Sequence, residues 1–432
     1  MSGIVPVGEQ ATVPSRVATV SLHTSPLDQP GTGDAGGMNV YVVEVARRMA
    51  ERGVAVDIFT RATGPDLPPV VELVPGVNVR HVPAGPYGHL DKNSLAEHLC
   101  PFIFGMLRVE AQGEPGHYDL VHGHYWLSGQ AGVVAARRWG VPLVHSMHTM
   151  ARVKNAALAQ GDEPEPDARV RGEDQLVRQA DRLVANTEDE ARQLREHYGA
   201  CGDRISVIPP GVDLDVFTPG SRREALARIG LPADTELLLF VGRVQRLKAP
   251  DVLIRAAARL LEYDSSLRSR LVVGVVGGLS GGGRREPGML TDLAHSLGVA
   301  DVVRIEPPQS RERLADYYRA ATVTVVPSYS ESFGLVAVES QACGTPVLAA
   351  RVGGLSTAVS DGVSGILVRG HDPADYAAEL YRMITEPAWR AKLAMAAPDH
   401  AATLSWSRTV DELLNVYRMS TAPRTLPLAA CR

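Results

Sequence analysis

Short apolar runs alternate with amphipathic helical stretches along the chain, and this alternation restarts near residue 210. Apolar runs such as Val17–Leu22 and Ala55–Thr60 predict strands, and Met38–Arg52 between them has helical periodicity. Strands that are apolar throughout are typical of parallel sheets covered on both faces. Pro209-Pro210-Gly211 predicts a hinge between the two sets. We therefore predict an α/β protein with two Rossmann-like, doubly wound domains that face a central cleft.

The length of 432 residues suits two domains. We predict one domain over residues 16–211 and a second over residues 212–401. The last helix, over residues 402–420, should pack back on the first domain. Residues 1–15 read as a disordered extension and residues 421–432 as a loose tail. In the helix from Met38 we place Val42, Val45 and Met49 on the buried face and Glu44 on the opposite face.

Composition excludes several classes of function. Apolar residues make up 45% of the chain and the net charge is −5, so no basic excess favours nucleic acid. No apolar run approaches the ~20 residues that a membrane-spanning helix needs. The first fifteen residues contain neither a basic region nor an apolar core of a signal peptide. We expect a cytoplasmic protein that binds no nucleic acid and no membrane.

The stretch from Arg319 to Gly354 contains two carboxylates in a suggestive arrangement. It predicts a buried strand over Val323–Val326, followed by a helix that begins at Ser332–Phe333. Glu331 stands at the start of this helix, and Glu339 lies about 12 Å further along it at 1.5 Å per residue. Backbone N–H groups at a helix start favour an anion such as a diphosphate. Carboxylates at this spacing could bind hydroxyls at both ends of a nucleotide-sugar.

A basic loop follows the first strand of the second set. Gly242-Arg243 and Lys248 bracket it, and cations at a strand end suit a diphosphate leaving group. A solvated basic loop is the simpler alternative. That alternative weakens when Glu331 and Glu339 lie in the same crevice.

A glycine-rich loop, residues 30–39, follows the first strand and opens the first helix. Glycines allow the backbone to approach a ligand closely, and the helix start favours an anion. A purely structural turn is the alternative. A dinucleotide site would need an acidic residue at the end of the second strand, but Asp57 lies inside that strand and Arg61 at its end.

Histidines gather at three predicted strand ends: His23, the pair His122 and His124, and the pair His145 and His148. Neither carboxylates nor cysteines accompany them at metal-ligand spacing, so we predict no metal site. Hydrogen bonding to a polyol or phosphate is the favoured interpretation, and structural histidines are the alternative. From composition alone, Lys92 and Arg169 are expected to be ordinary charged residues on the surface.

Together these motifs resemble the retaining GT-B glycosyltransferases of glycosyltransferase family 4. The resemblance spans about Arg16 to Tyr417 and rests on Glu331 and Glu339, the Gly242–Lys248 loop and the glycine-rich loop. Longer matches, including His23-Thr24-Ser25-Pro26-Leu27, point to a subfamily that begins mycothiol synthesis. The resemblance implies the GT-B fold and transfer of N-acetylglucosamine from UDP-N-acetylglucosamine to 1D-myo-inositol 3-phosphate, with the α configuration retained.

The resemblance also implies residue roles. Catalysis would involve His148, Lys248, Arg243 and Glu331. The donor would contact Gly37, Arg243, Lys248, Glu331, Phe333, Gly334, Leu335, Glu339 and Thr345. The acceptor would contact His23, Gln29, Gly31, Thr32, Gly33, Asp34, Gly36, Asn39, Lys92, Tyr125, Thr149 and Arg169. Family members often have Lys-Gly after the diphosphate lysine, whereas this chain has Lys248-Ala249-Pro250, a change expected to matter little.

Three alternatives stay open. The first is another family 4 enzyme, either sucrose-phosphate-synthase-like or a mannosyltransferase. The others are a Rossmann oxidoreductase and a sugar-nucleotide binder without activity. No cofactor is required by the resemblance, which is compatible with bound Mg²⁺ and with a homodimer.

Overall fold

The structure is a computed structural model that describes residues 13–92, 94–156, 163–278 and 288–422. The predicted extension and tail therefore lie largely outside the described residues. Two separate sheets run through the chain, one in each half. This confirms the predicted α/β class.

The first sheet has eight strands in the order β3-β4-β2-β1-β5-β6-β7-β8. All neighbours are parallel except β3 and β4. Its strands are β1 (Arg16–Val20), β2 (Ala55–Arg61), β3 (Val70–Val74), β4 (Val77–Val82), β5 (Leu120–His124), β6 (Leu143–Ser146), β7 (Arg182–Ala185) and β8 (Ile205–Val207). We did not predict β3, an edge strand in which no residue is buried.

Six α-helices connect these strands. They are α1 (Gly37–Glu51), α2 (Leu99–Glu110), α3 (Trp126–Trp139), α4 (Ala151–Ala156), α5 (Asp167–Gln179) and α6 (Glu188–Tyr198). The apolar face of α1 is buried as predicted, with Val45 and Met49 in the core. Glu44, however, is only 1% exposed, so its placement on the solvent side was wrong.

The second sheet has six parallel strands in the order β11-β10-β9-β12-β13-β14. They are β9 (Glu236–Val241), β10 (Leu271–Val276), β11 (Val303–Glu306), β12 (Val323–Val326), β13 (Val347–Ala350) and β14 (Gly365–Val368). The strand order reverses between β9 and β12, which is where parallel sheets open a crevice for ligands. The loops after these two strands carry Arg243, Lys248 and Glu331.

Among the described residues, nine α-helices surround or follow this second sheet. They are α7 (Arg222–Arg228), α8 (Pro250–Tyr263), α9 (Met289–Ser296), α10 (Arg311–Ala320), α11 (Leu335–Ala342), α12 (Leu355–Ala358), α13 (Pro373–Thr385), α14 (Pro387–Ala402) and α15 (Trp406–Thr421). Helix α11 begins at Leu335, two residues later than predicted. Gly334 precedes it with a φ of 101°, outside the helical region.

Helix α15 belongs to the core of the first half. Trp406, Val410 and Tyr417 are buried in one cluster with Tyr41 and Met49 of α1. The chain thus passes from the first set of strands to the second and back. The two crossing segments lie side by side, because Val212 N donates to Leu404 O at 2.9 Å. Within the described residues, no helix is long and apolar enough to cross a membrane.

Candidate active site

Lys248 and Glu331 meet in the crevice between β9 and β12. The Nζ of Lys248 forms an ion pair with Oε2 of Glu331, and Ser328 Oγ lies 3.4 Å from the same oxygen. Their side chains are only 22% and 17% exposed. A lysine beside a carboxylate at a helix start provides a cation for phosphate and an acceptor for sugar hydroxyls.

The backbone after Lys248 explains the glycine common in the family. Ala249 has a φ of 52°, in the left-handed region that glycine adopts without strain. Ala249 is also fully buried, and Pro250 begins α8 directly after it. The left-handed turn, which sequence reasoning overlooked, is therefore formed here by alanine.

Arg243 reaches across the cleft to the glycine-rich loop of the first half. Its Nη1 lies 4.0 Å from Asp34 Oδ1, which also binds Lys92 Nζ at 2.8 Å. A Cβ added at Gly36 would lie 3.6 Å from Arg243 Nε, an ordinary van der Waals distance, so the loop and the guanidinium lie side by side. Burial lowers the pKa of Arg243, and the carboxylates of Asp34 and Glu331 oppose this.

Two helix starts converge where the halves meet. Gly37 is the first residue of α1 and Leu335 the first of α11. A Cβ added at Gly37 would lie 3.4 Å from Leu335 Cδ1. Phe333, just before α11, is buried and anchors this turn. Both helix starts carry N–H groups without intrahelical acceptors, and such groups favour an anion.

Glu339 lies in α11, four residues after the first residue of the helix. Tyr318 Oη donates to its Oε2 at 2.8 Å. Burial raises the pKa of Glu339 to about 7, although the Tyr318 hydrogen bond and the charge of Arg311 act in the opposite direction. Glu339 therefore lies in the middle of α11, whereas Glu331 precedes the first residue of the helix by four positions.

Thr345 is not brought to the helix start. It follows the far end of α11 and is 4% exposed. Its N–H donates to Ser340 O at 3.1 Å and its hydroxyl to Tyr318 O at 2.6 Å. Both donors are hydrogen-bonded within the second half, as is usual for buried polar groups.

The glycine-rich loop is held by Asn39. The Asn39 amide donates to Thr24 Oγ1 at 2.9 Å and to Ser25 O at 2.7 Å, while its Oδ1 accepts from Gly36 N at 3.1 Å. Asn39 is 2% exposed, so its hydrogen bonds hold the loop in place from the buried side. The loop itself presents the remaining predicted residues, namely Gln29, Gly31, Thr32, Gly33 and Asp34.

A cavity of about 140 Å³ lies between this loop and the ends of β1 and β2. His23, Thr32, Gly33, Asp34 and Arg61 are among its lining residues. Within the described part of the chain, the buried Nδ1 of His23 has no hydrogen-bond partner. Burial lowers the pKa of His23, and the positive charges of Lys92, Arg169 and Arg243 lower it further. This crowding of cations favours an anionic ligand.

Arg169 brings three other predicted acceptor residues together. Its guanidinium lies 4.9 Å from the centre of the Tyr125 ring, and its Nη2 donates to Thr149 Oγ1 at 3.0 Å. The His23 ring packs 4.3 Å from that of Tyr125. These contacts place His23, Tyr125, Thr149 and Arg169 in one continuous group.

Two carboxylates that sequence reasoning missed hold Arg169 in place. Its Nε binds Glu173 Oε1 at 2.7 Å and its Nη1 binds Glu165 Oε2 at 2.8 Å. Burial alone would lower the pKa of Arg169, but Tyr125, Glu173 and Glu165 raise it above its ordinary value. Their spacing of four residues on either side of Arg169 was a readable signal.

His148 stands at the boundary between the halves. It has a φ of 59°, and its Nε2 lies 2.9 Å from His124 Nδ1. Its carbonyl accepts a hydrogen bond of 2.5 Å from Ser332 Oγ on the other side of the cleft. Burial lowers the pKa of His148 to about 4, so the ring is neutral near pH 7. Ser332 was not predicted as a site residue, although it lies inside the Glu331–Leu335 motif.

The other histidines belong to the core. His122 and His124 are 1% exposed and His145 is fully buried. His122 binds Tyr417 Oη at 2.6 Å and Ser146 Oγ at 3.0 Å. The interpretation of all five histidines as ligand contacts was therefore wrong for these three, because α3 and α15 close over their strand ends.

The fold and the two-sided cleft define a GT-B glycosyltransferase. Residues 35–216 match the model of Glycosyltransferase Family 4, and residues 221–400 match that of Glycosyl transferases group 1. The chain belongs to glycosyltransferase family 4 and, within it, to the group of D-inositol 3-phosphate glycosyltransferases. The predicted fold and enzyme class are thus confirmed, and the oxidoreductase alternative is wrong.

Close relatives cover the whole chain. It is 88% identical to the D-inositol 3-phosphate glycosyltransferase of Nocardiopsis dassonvillei over 432 residues, covering 100% of both chains. It is 71% identical to that of Thermobifida fusca, covering 95% of this chain and 94% of the relative. A solved sucrose-phosphate synthase from Thermosynechococcus elongatus has a TM-score of 0.85 at 31% identity, covering 94% of this chain and 98% of that one.

Proposed function

We propose that this enzyme transfers N-acetylglucosamine from UDP-N-acetylglucosamine to 1D-myo-inositol 3-phosphate, releasing UDP and retaining the α configuration. The product, N-acetylglucosaminyl-inositol phosphate, would begin mycothiol synthesis. The observation that carries the donor half is the convergence of the α1 and α11 starts beside Arg243. The full-length identity to D-inositol 3-phosphate glycosyltransferases supports the acceptor.

The second domain, residues 212–401, holds the donor in this proposal. Arg243 and Lys248 bind the diphosphate, with N–H groups of Phe333, Gly334 and Leu335. The ammonium group of Lys248 then contacts both Glu331 and the phosphate. Glu331 accepts from sugar hydroxyls and Glu339 from ribose hydroxyls. Gly37 leaves space for the phosphates where the helix starts meet, and Thr345 acts only from behind α11.

The first domain, residues 16–211, holds the acceptor. Lys92 and Arg169 bind the phosphate as charge-assisted donors. His23, Tyr125 and Thr149 face the inositol hydroxyls. Thr32, Gly33 and Asp34 of the glycine-rich loop line the cavity beside His23, and Gln29, Gly31, Gly36 and Asn39 lie in or next to the same loop.

A double displacement would need a carboxylate nucleophile beside the anomeric carbon. Asp34 is paired with Lys92 and Glu331 with Lys248, and this proposal assigns neither carboxylate to that position. We therefore favour attack from the same face as departure. The bond from the anomeric carbon to the β-phosphate oxygen breaks, and a bond to the acceptor oxygen forms. The acceptor proton passes to the departing phosphate. The carbonyl of His148 lies beside the carbon that gains positive charge.

Product identification tests this function. The purified protein is incubated with UDP-N-acetylglucosamine and either inositol 3-phosphate, free inositol or fructose 6-phosphate, and products are identified by mass. We expect product from inositol 3-phosphate alone. Product only from fructose 6-phosphate would instead support a sucrose-phosphate-synthase-like activity, the alternative that the 31% identical structure favours.

Three predictions accompany the proposal. A homodimer should appear in sedimentation velocity. No cofactor is required in this proposal, so activity should survive chelation of Mg²⁺. The protein should fractionate with the cytoplasm.

A further inference from the structure

Glu44 is a buried carboxylate that the proposed chemistry does not use. It lies on α1, in the first half, and its side chain is 1% exposed. A buried carboxylate is costly unless it is paired and hydrogen-bonded. Three arginines provide that pairing: Arg47 at 3.7 Å and Arg48, both on α1, and Arg311 at 2.6 Å. Arg311 is the first residue of α10, in the second half.

Arg311 divides its guanidinium between two carboxylates from different segments. Its Nη1 binds Glu44 Oε1 at 2.6 Å, and its Nη2 binds Asp213 Oδ2 at 2.9 Å. Asp213 is 6% exposed and follows the segment that joins the two sets of strands. The guanidinium also lies 5.7 Å from the centre of the Phe217 ring. Only arginine can form such a fork, because its N–H groups diverge in one plane.

The same charges act on the carboxylate assigned to ribose. Burial raises the pKa of Glu339, the positive charge of Arg311 lowers it, and the negative charge of Glu44 raises it. Helices α10 and α11 pack together, and Tyr318 of α10 donates to Glu339. The contact between α1 and α10 therefore adjoins the donor side of the cleft.

We propose that Arg311, with Glu44 and Asp213, is a positioning residue that holds the donor half against α1 when the cleft is closed. The fork sets the distance between the start of α1 and the start of α11, where the diphosphate would lie. Separating the halves breaks the pair and leaves Glu44 with only the partners on its own helix. The inference rests on the proposed donor site but not on the identity of the acceptor.

Arginine variants test this role with a matched control. Arg311→Gln and Glu44→Gln remove the pair while keeping similar size, and Arg311→Lys keeps the charge without the fork. Arg313→Gln is the control, because Arg313 lies two residues further on α10 and binds Arg228 O within the same half. For each variant we would measure kcat, KM for UDP-N-acetylglucosamine, UDP affinity without acceptor, and thermal unfolding.

The decisive readout is the ratio of donor hydrolysis to transfer. A cleft that closes poorly admits water, so Arg311→Gln and Glu44→Gln should raise this ratio and weaken UDP binding, each by about tenfold. The double variant should be no worse than Arg311→Gln alone. Arg311→Lys should fall between wild type and Arg311→Gln, and Arg313→Gln should match wild type.

Two results would overturn the proposal. One is a ratio of donor hydrolysis to transfer in Arg311→Gln and Glu44→Gln that equals the ratio in Arg313→Gln. The other is a double variant in which the effects of the two single variants multiply. If Arg311→Gln does not fold, Glu44→Gln alone decides, since its carboxyl is replaced by an amide of the same shape. UDP titration needs no acceptor, so a failed acceptor assignment would leave the comparison of UDP affinities between the variants intact.

Discussion

The hydroxyl of Ser332 donates a hydrogen bond of 2.5 Å to the carbonyl of His148, although 184 residues separate them. Ser332 lies between Glu331 and the start of α11, and His148 lies beyond the end of β6. The bond therefore joins the donor side of the cleft to the acceptor side. It also places the His148 carbonyl next to the proposed sugar site.

Loss of this hydroxyl should affect turnover more than folding. A hydrogen bond of this kind contributes about 1 kcal/mol, so Ser332→Ala should lower kcat/KM roughly fivefold. The exposed Ser296, which donates to Leu293 O on α9, provides the control variant Ser296→Ala. Equal kinetics for the two variants would show that the bond to His148 has no role in catalysis.

Removal of Lys248 should impair the departure of UDP. Lys248→Ala takes away the cation beside Glu331, and a preorganised charge at a leaving group is worth about 10²- to 10³-fold in kcat. Steady-state kinetics with UDP-N-acetylglucosamine measures the change. Lys392→Ala, on the exposed side of α14, should leave kcat unaltered. A fully active Lys248→Ala would remove the donor-site assignment.

Arg169→Lys should separate phosphate recognition from the rest of the reaction. Lysine cannot reproduce the fork to Glu165 and Glu173, so the KM for inositol phosphate should rise roughly tenfold. The melting temperature should fall as well, because Glu173 is buried. The exposed neighbour Arg171 supplies the control Arg171→Lys. An unchanged acceptor KM would refute contact between Arg169 and the phosphate.

The raised pKa of Glu339, about 7 against an ordinary 4.5, predicts two opposite pH dependences. Its contribution to stability is largest below the unfolded pKa and is lost as pH rises through about 7. Donor binding should strengthen over that range, because an ionised carboxylate is the better acceptor for ribose hydroxyls. Tyr318, Arg311 and Glu44 are the groups that modulate this titration.

Glu339→Gln tests both effects. The difference in unfolding free energy between wild type and variant, measured from about pH 5 to about pH 8, should shift in favour of the variant as pH rises. The pH dependence of UDP affinity should be flatter in the variant. Parallel pH profiles for the two proteins would place the titration elsewhere.

Much of the fold could be predicted because its signals are local. The parallel strands carry apolar runs, and β10, β12 and β14 begin and end where expected. Strand β3 was missed because half of its residues face solvent at the sheet edge. Helix α11 was started too early because a positive φ at Gly334 is not visible in hydrophobic periodicity.

Some contacts between the predicted site residues follow from short segments alone. Glu331 and Lys248 sit on loops that follow neighbouring strands, so their meeting follows from the parallel sheet. Burial of His145, by contrast, depends on packing of α3 over its strand. Glu44 was assigned to solvent because α1 was considered without the second domain.

The sequence by itself determined two doubly wound sheets, the helix start beside Glu331 and the family that these motifs define. Periodicity and strand-end chemistry are properties of short segments, which is why they can be read without coordinates. Only the tertiary structure decided which polar groups face the cleft and which are enclosed. Ser332 with His148, and Arg311 with Glu44, are contacts between segments far apart in sequence, and they exist only because the two halves pack against each other.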